Sequence, residues 1–124
     1  MLMHEELTEQ IIGAAIEVHR ALGPGLLESA YQICMAHEFE LRGIGFRREV
    51  PLPIHYKQVT LDCGYVMDFV VEEKIVFELK AVDKVIPIHE AQLLTHLKLS
   101  GHRLGLLINF NVPLIRNSII RRVL

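Results

Sequence analysis

The sequence predicts an α/β fold in which a mixed central sheet is flanked by helices. Apolar residues recur at helical spacing over the first 41 residues, and from Phe46 the period becomes that of strands. A third helical segment is then followed by a short apolar run, which is typical of a strand buried on both faces. The predicted order is therefore ααβββαβ, with one further strand or short helix in the tail "NSIIRRVL".

Two amphipathic helices are predicted at the start of the chain. The first covers residues 5–21, and the stretch Gly23-Pro24-Gly25 ends it because these residues do not continue a helix. Its expected apolar stripe is Leu7, Ile11, Ala14, Ala15, Val18 and Leu22. The second helix begins directly after Gly25 and runs to about Leu41, with an expected stripe of Leu26, Ala30, Ile33, His37 and Leu41.

Three strands and a third helix are expected next. "REVPLPIHY" is predicted to be an edge strand, because Pro51 and Pro53 lack N–H donors. "VTLDCGYVMDFVV" and "KIVFELKAV" are predicted to be two further strands, joined by a polar turn at Glu72, Glu73 and Lys74. Pro87 suits a helix start and Gly101 a helix end; the expected core stripe of this helix is Ala91, Leu94, Leu97 and Leu99.

Length and composition narrow the class of protein. The 124 residues suffice for a single domain spanning residues 1–124. The net charge of −2 argues against a strongly basic nucleic-acid coat, and no apolar stretch is long enough to span a bilayer. The N-terminus is too polar for a signal peptide, and Cys34 and Cys63 form no CxxC pattern. We therefore expect a cytoplasmic protein with reduced cysteines.

The stretch "IVFELKAV" carries opposite charges at Glu78 and Lys80 on one face of an otherwise apolar strand. If the hairpin folds about Glu73, residue 71 faces residue 75 and Asp68 falls opposite Glu78. The even-numbered face then collects Asp68, Glu78 and Lys80. The odd-numbered face is wholly apolar and contains Met67, Phe69, Val71, Ile75, Phe77 and Leu79.

Two facing carboxylates repel each other and favour a shared proton or a cation. Mg²⁺ would suit this pair, because it binds one or two carboxylates and keeps water and substrate phosphate oxygens as its other ligands. Lys80 would then be placed to stabilise negative charge. The alternative is a salt-bridge cluster in which Lys80 neutralises Asp68 and Glu78 with little effect on stability.

An Asp followed about ten residues later by Glu-x-Lys resembles the core of the PD-(D/E)xK nuclease superfamily. "GLLESAY" reads G-x-x-E-x-x-Y, with Gly25, Glu28 and Tyr31 at the named positions. Together with "IEVHRALGPG", "FELKAV", "EAQLLTHLK" and "GLLINFNVP", it makes nearly the whole chain similar to the GxxExxY protein family. That family is grouped with the PD-(D/E)xK fold.

The resemblance implies a restriction-endonuclease-like fold and a metal-dependent nuclease acting on nucleic acid. Asp68 and Glu78 would bind Mg²⁺ or Mn²⁺, and Lys80 would assist catalysis. Glu28 and Gln92 match supporting residues that some members bring from helices. The chain departs from the pattern at Val66, where Arg is common, and at His96, where Tyr is common.

Other residues allow two interpretations each. Tyr31 either lines the site or packs in the core, and Gly23 and Gly25 either hold a phosphate or form a turn. His19 could support Glu28 or simply end its helix. A zinc site from His89 and His96 is disfavoured by the seven-residue spacing. The arginines would form a phosphate track only if they converge: Arg47, Arg48, Arg103, Arg116, Arg121 and Arg122.

Two functions from different classes follow. The first is a phosphodiester-cleaving nuclease that uses Mg²⁺ or Mn²⁺. The second is a non-catalytic binding or assembly module that keeps the nuclease-like fold and binds no metal. An edge strand and the apolar tail "SIIRRVL" also suggest a homodimer.

Overall fold

The computed structural model describes residues 2–124, and its elements follow the predicted order. The helices are α1 (Glu5–Leu22), α2 (Glu28–Leu41) and α3 (Pro87–Ser100). The strands are β1 (Phe46–Pro51), β2 (Ile54–Tyr56), β3 (Val59–Leu61), β4 (Val66–Val71), β5 (Ile75–Lys80), β6 (Leu104–Asn109) and β7 (Ile119–Val123). The tail contains both of the elements considered for it, because a 3₁₀ helix at Ile115–Ser118 precedes β7.

Five strands form one mixed sheet in the order β1-β4-β5-β6-β7. Only β5 and β6 run parallel, and α3 makes the crossover between them. The predicted α/β class with helices flanking a mixed sheet is confirmed. The proline-containing strand β1 is an edge strand as expected, and β6 is buried along its whole length.

Two predicted strands are each divided in the structure. "REVPLPIHY" separates into β1 and β2, and "VTLDCGYVMDFVV" separates into β3 and β4. The second division lies where Asp62 Oδ1 accepts the Gly64 N–H at 3.0 Å and Gly64 adopts a φ of 77°. This local turn is available to Asp and Gly, and it frees β2 and β3 to pair as a separate small hairpin.

The sheet has an apolar cluster on each face. Helices α1 and α2 cover the face that carries Phe69, Phe77 and Leu79. Helix α3 covers the other face, where Leu93 and Leu97 pack with residues of the sheet that include Val70, Val76 and Leu107. The central hairpin is therefore buried on both sides, which raises the cost of placing charges on it.

The predicted apolar stripes of the helices are correct only in part. In α1, the buried residues Ile11, Ala14, Ala15 and Val18 match, but Leu22 is exposed. In α2 the stripe is wrong, because the buried residues are Tyr31, Gln32, Met35, Ala36 and Phe39, whereas Ile33 and Leu41 are exposed. Apolar residues occur on several sides of α2, so its period alone does not select the face that meets the sheet.

The predicted core stripe of α3 is also correct only in part. Its buried residues are Leu93 and Leu97, and the expected core residue Ala91 is exposed. Gly105 on β6 explains the fit, because a Cβ at this position would lie 2.8 Å from Leu93 Cδ1. Helix α3 therefore lies close to the sheet at Gly105, the residue of β6 that has no side chain. Gly101 ends α3 with a φ of 77°, as predicted.

The register of the central hairpin is confirmed. Val71 pairs with Ile75 and Val70 pairs with Val76, while Glu72 and Glu73 both have positive φ in the turn. The partition of the faces fails only at Met67, which packs in the α3-side cluster with Val50 rather than with Phe69. The pairing of β4 with β5 stops at Phe69–Phe77, so the alternation of faces need not continue through residue 67.

Candidate active site

The candidate site lies at the open end of the β4–β5 hairpin, where the two strands part. Phe69 and Phe77 form the last pair, and Asp68 and Glu78 are the next positions along this register. Beyond that pair the Leu79 N–H donates to Asp68 Oδ2, at 3.0 Å. A carboxylate thus takes a hydrogen bond that a strand carbonyl would accept if the ladder continued.

The second oxygen of Asp68 is bound from the helical layer. Gln32 Nε2 on α2 donates to Asp68 Oδ1 at 3.2 Å, and Gln32 itself is buried. The sequence interpretation did not single out Gln32. The signal was present, because Gln32 lies four residues after Glu28 and therefore on the same side of α2.

Burial raises the pKa of the Asp68 carboxyl to about 6. The hydrogen bond from the Leu79 N–H lowers this pKa, the charges of Glu78 and Glu28 raise it, and the charge of Lys80 lowers it. Three of the predicted site residues therefore lie within electrostatic reach of Asp68. The net result is a carboxyl group that holds its proton well above the ordinary range of an aspartic acid.

Glu78 is held from the opposite side of the sheet. Its side chain is buried at 6% exposure, and its Oε2 is hydrogen-bonded to Nδ1 of His96 on α3. An ionised carboxylate only accepts hydrogen bonds, so Nδ1 is the donor to it in this contact. The sequence pointed to His96 only as a departure from a family pattern and as a zinc ligand that its spacing from His89 disfavours.

Lys80 is the last residue of β5 and is half-buried. In the parallel ladder it pairs with Asn109 of β6. The Asn109 side chain donates to the Val82 carbonyl at 2.8 Å and accepts the Val82 N–H at 3.1 Å. The chain that leaves the sheet after Lys80 is thereby tied to the neighbouring strand, which limits the movement of the lysine backbone.

The two supporting residues predicted on helices are both exposed. Glu28 is the first residue of α2 and faces Asp68 closely enough to affect its pKa. Gln92 lies one turn before His96 on α3. Gln92 and His96 line a groove of about 320 Å³ whose other walls include Tyr65 and Ile88.

The motif residues Gly25 and Tyr31 have a structural explanation. The Tyr31 hydroxyl donates to the Gly23 carbonyl at 2.5 Å and accepts the Leu26 N–H at 3.2 Å. Its ring is fully buried and stacks on Phe110 at 4.8 Å. Gly25 has a φ of 98°, which favours glycine. The turn and core interpretations of these residues are therefore the ones the structure supports.

Several other candidates have partners away from the site. His19 Nε2 bonds to the Val112 carbonyl at 2.8 Å, and His89 Nδ1 accepts the Ile86 N–H at 3.1 Å. A zinc site shared by His89 and His96 has no support from these contacts. Arg47 and Arg122 do not converge, because Arg47 pairs with Glu73 from β1 and Arg122 pairs with Glu90 from β7, the two opposite edges of the sheet.

The donor set fits a hard divalent cation with few protein ligands. Within residues 2–124, no group of three His, Cys, Asp or Glu side chains is placed to hold a metal ion. The adjacent acids Asp68 and Glu78 provide two carboxylates, which is the number Mg²⁺ commonly takes from a protein. The raised pKa of Asp68 also shows that a positive charge at this point would relieve an unfavourable environment.

The chain matches the PD-(D/E)XK nuclease superfamily over residues 5–123 and belongs to it. The mixed five-stranded sheet with flanking helices agrees with the fold of that superfamily. No curated protein and no solved structure matches the chain. None of the helices formed by residues 2–124 has the length and apolar character needed to cross a membrane.

Proposed function

We propose that this member of the PD-(D/E)XK nuclease superfamily is a metal-dependent nuclease that hydrolyses phosphodiester bonds in DNA or RNA. The observation that carries the proposal is the pair of buried or partly buried acids, Asp68 and Glu78, beside Lys80 at the open end of one hairpin. Charges are placed in such an environment at a cost in stability, which favours a functional reason for them.

Asp68 and Glu78 would hold Mg²⁺ or Mn²⁺, which when bound would lower the pKa of a water molecule for attack on the phosphodiester. Lys80 is assigned the catalytic role of stabilising the negative charge that develops on the phosphate. Glu28 and Gln92 are assigned supporting catalytic roles, Glu28 beside Asp68 and Gln92 in the groove next to His96. Gln32 and the Leu79 N–H orient the Asp68 carboxylate.

The remaining predictions belong to the same proposal. We infer a single nuclease-like domain of the GxxExxY type, with nucleic acid as its partner. The unpaired cysteines Cys34 and Cys63 support a cytoplasmic location. A homodimer stays a prediction; the tail suggested for it is already used in part, because β7 pairs with β6.

Cleavage of labelled DNA and RNA, each single- and double-stranded, with Mg²⁺ or Mn²⁺ tests the activity. We expect Lys80→Ala to lower the cleavage rate by about 100- to 1000-fold, since a preorganised charge is removed. The urea unfolding midpoint should change little. Lys84→Ala, an exposed lysine on the loop after β5, is the matched control and should cleave as wild type does. Equal cleavage by Lys80→Ala, or none by wild type, would refute the proposal.

The second candidate is the non-catalytic binding module. It is favoured by the fact that both acids already have hydrogen-bond donors within the chain, Gln32 and Leu79 for Asp68 and His96 for Glu78. Under this hypothesis the cluster binds no metal. Calorimetric titration with Mn²⁺ separates the two functions, because saturable binding that Asp68→Ala abolishes supports the nuclease.

A further inference from the structure

We propose that His96 is a positioning residue, which holds the Glu78 carboxylate in the orientation that lets it share a cation with Asp68. The inference rests on the metal-dependent function proposed above and deepens it. It concerns a residue of α3 that reaches the candidate metal ligand from outside the hairpin. His96 touches Glu78 directly and would act on the cation only through that carboxylate.

The first argument is the burial of Glu78. At 6% exposure its carboxylate has lost nearly all contact with water, so its charge must be compensated by protein donors. Among side chains of residues 2–124, the hydrogen bond to Glu78 comes from His96, whose own side chain is only 14% exposed. A carboxylate with one fixed oxygen has one preferred orientation, which leaves the other oxygen to a ligand.

The second argument is the atom that makes the contact. Nδ1 lies near the backbone of a histidine, so its reach depends on where α3 sits relative to β5. An asparagine at position 96 would place its amide nitrogen at a similar distance from the backbone. A leucine would fill similar space without a donor. The chain thus allows one substitution that keeps the contact and one that removes it.

The third argument is how α3 is docked. Leu93 and Leu97 flank His96 on the helix, and their side chains pack over Gly105 of β6. Gly105 pairs with Val76, two residues before Glu78 on the neighbouring strand. A close approach of α3 to the sheet therefore lies beside the strand that carries Glu78. This packing sets the distance between the His96 and Glu78 backbones.

The test is calorimetric titration of the full chain with Mn²⁺ in the absence of nucleic acid. We expect His96→Leu to weaken Mn²⁺ binding by about 10- to 100-fold, as is usual when a residue that orients a metal ligand is removed. His96→Asn should bind Mn²⁺ nearly as well as wild type. The exposed His37 of α2, changed to leucine, is the control for loss of a histidine as such.

A double-mutant cycle measures the contribution of the His96–Glu78 contact to stability in the absence of metal. In urea unfolding, His96→Leu should destabilise wild type more than it destabilises the Glu78→Gln variant, because the uncompensated charge is absent there. If His96→Leu does not fold, the comparison of His96→Asn with His96→Gln replaces it, and the asparagine variant should bind Mn²⁺ more tightly.

Two results overturn the positioning role alone: Mn²⁺ binding by His96→Leu that equals wild type, or binding by His96→Asn as weak as by His96→Leu. A wild-type protein that binds no Mn²⁺ overturns the proposed function and this role together. The two failures are therefore distinguishable in one set of titrations.

Discussion

The two ends of the β4–β5 hairpin differ sharply although only three positions separate Val71 from Asp68 on β4. At the turn end, Val71, Ile75, Phe69 and Phe77 are paired in register and have no exposed surface. At the open end, the pairing stops and the side chains become Asp68, Glu78 and Lys80. The same two strands thus change from an apolar ladder to a cluster of charges.

The difference shows how a fold can concentrate stability and chemistry in separate places on one element. At the turn end the strands bond to each other, and only apolar side chains are buried there. At the open end, the Asp68 carboxylate accepts the Leu79 N–H and so supplies an acceptor where the ladder has ended. Burying that carboxylate lowers the stability of the protein, and the apolar packing at the turn end offsets this loss.

The largest effect is expected from breaking the turn end. Phe77→Ala removes a fully buried ring that stacks on Phe69 at 5.6 Å and meets Phe39 edge-on at 6.1 Å. We expect the free energy of unfolding to fall by about 3–5 kcal/mol, since a large cavity is left in the core. Urea unfolding measures the loss. Ile33→Ala, at an exposed position of α2, is the control. An equal loss of unfolding free energy in both variants would refute the idea that the turn end of the hairpin concentrates stability.

A smaller effect of opposite sign is expected at the open end. Burial raises the pKa of Asp68 to about 6. Because this pKa lies above that of the unfolded chain, the contribution of Asp68 to stability is fully present below about pH 4 and is lost as the pH rises to about 6. Asp68→Asn should therefore be more stable than wild type at pH 8, by about 2–3 kcal/mol. Its advantage should disappear near pH 4.

The measurement is urea unfolding of wild type and Asp68→Asn at several pH values between 4 and 8. Met67→Leu, a change of similar volume at the neighbouring buried position, controls for local repacking and should show no pH-dependent difference from wild type. Adding Mn²⁺ at pH 8 should stabilise wild type more than Asp68→Asn. A constant difference across the whole pH range would contradict the assignment of the effect to the Asp68 proton.

The smallest effect is expected from charges at the tip of the hairpin. Arg47 and Glu73 form a two-bond ion pair, at 2.6 and 2.9 Å, but both side chains are more than half exposed. Solvent screens such a pair, so Arg47→Ala should leave the urea midpoint and cleavage unchanged. A clear loss of either would show that charge on this hairpin matters wherever it lies, and not only where it is buried.

The fold class, the order of the elements and the hairpin register could all be predicted, because they depend on local signals. Changes of period, Gly and Pro positions and a turn centred on Glu73 are visible in the sequence. The division of two predicted strands and the buried face of α2 could not be predicted in the same way. Leu41 and Tyr31 are both apolar enough for a core stripe, and only packing against the sheet exposes one and buries the other.

The candidate site shows the same difference between what local sequence signals predict and what packing between elements adds. Strand alternation and one turn are enough to predict that Asp68, Glu78 and Lys80 lie together. Their surroundings depend on how the layers pack: Gln32 of α2 contacts Asp68, and His96 of α3 contacts Glu78. These partners come from residues 36 positions before Asp68 and 18 positions after Glu78. Periodicity encodes neighbours within an element, whereas contacts between layers depend on how helices dock on the sheet. For α3, the close contact of Leu93 and Leu97 with Gly105 sets that docking.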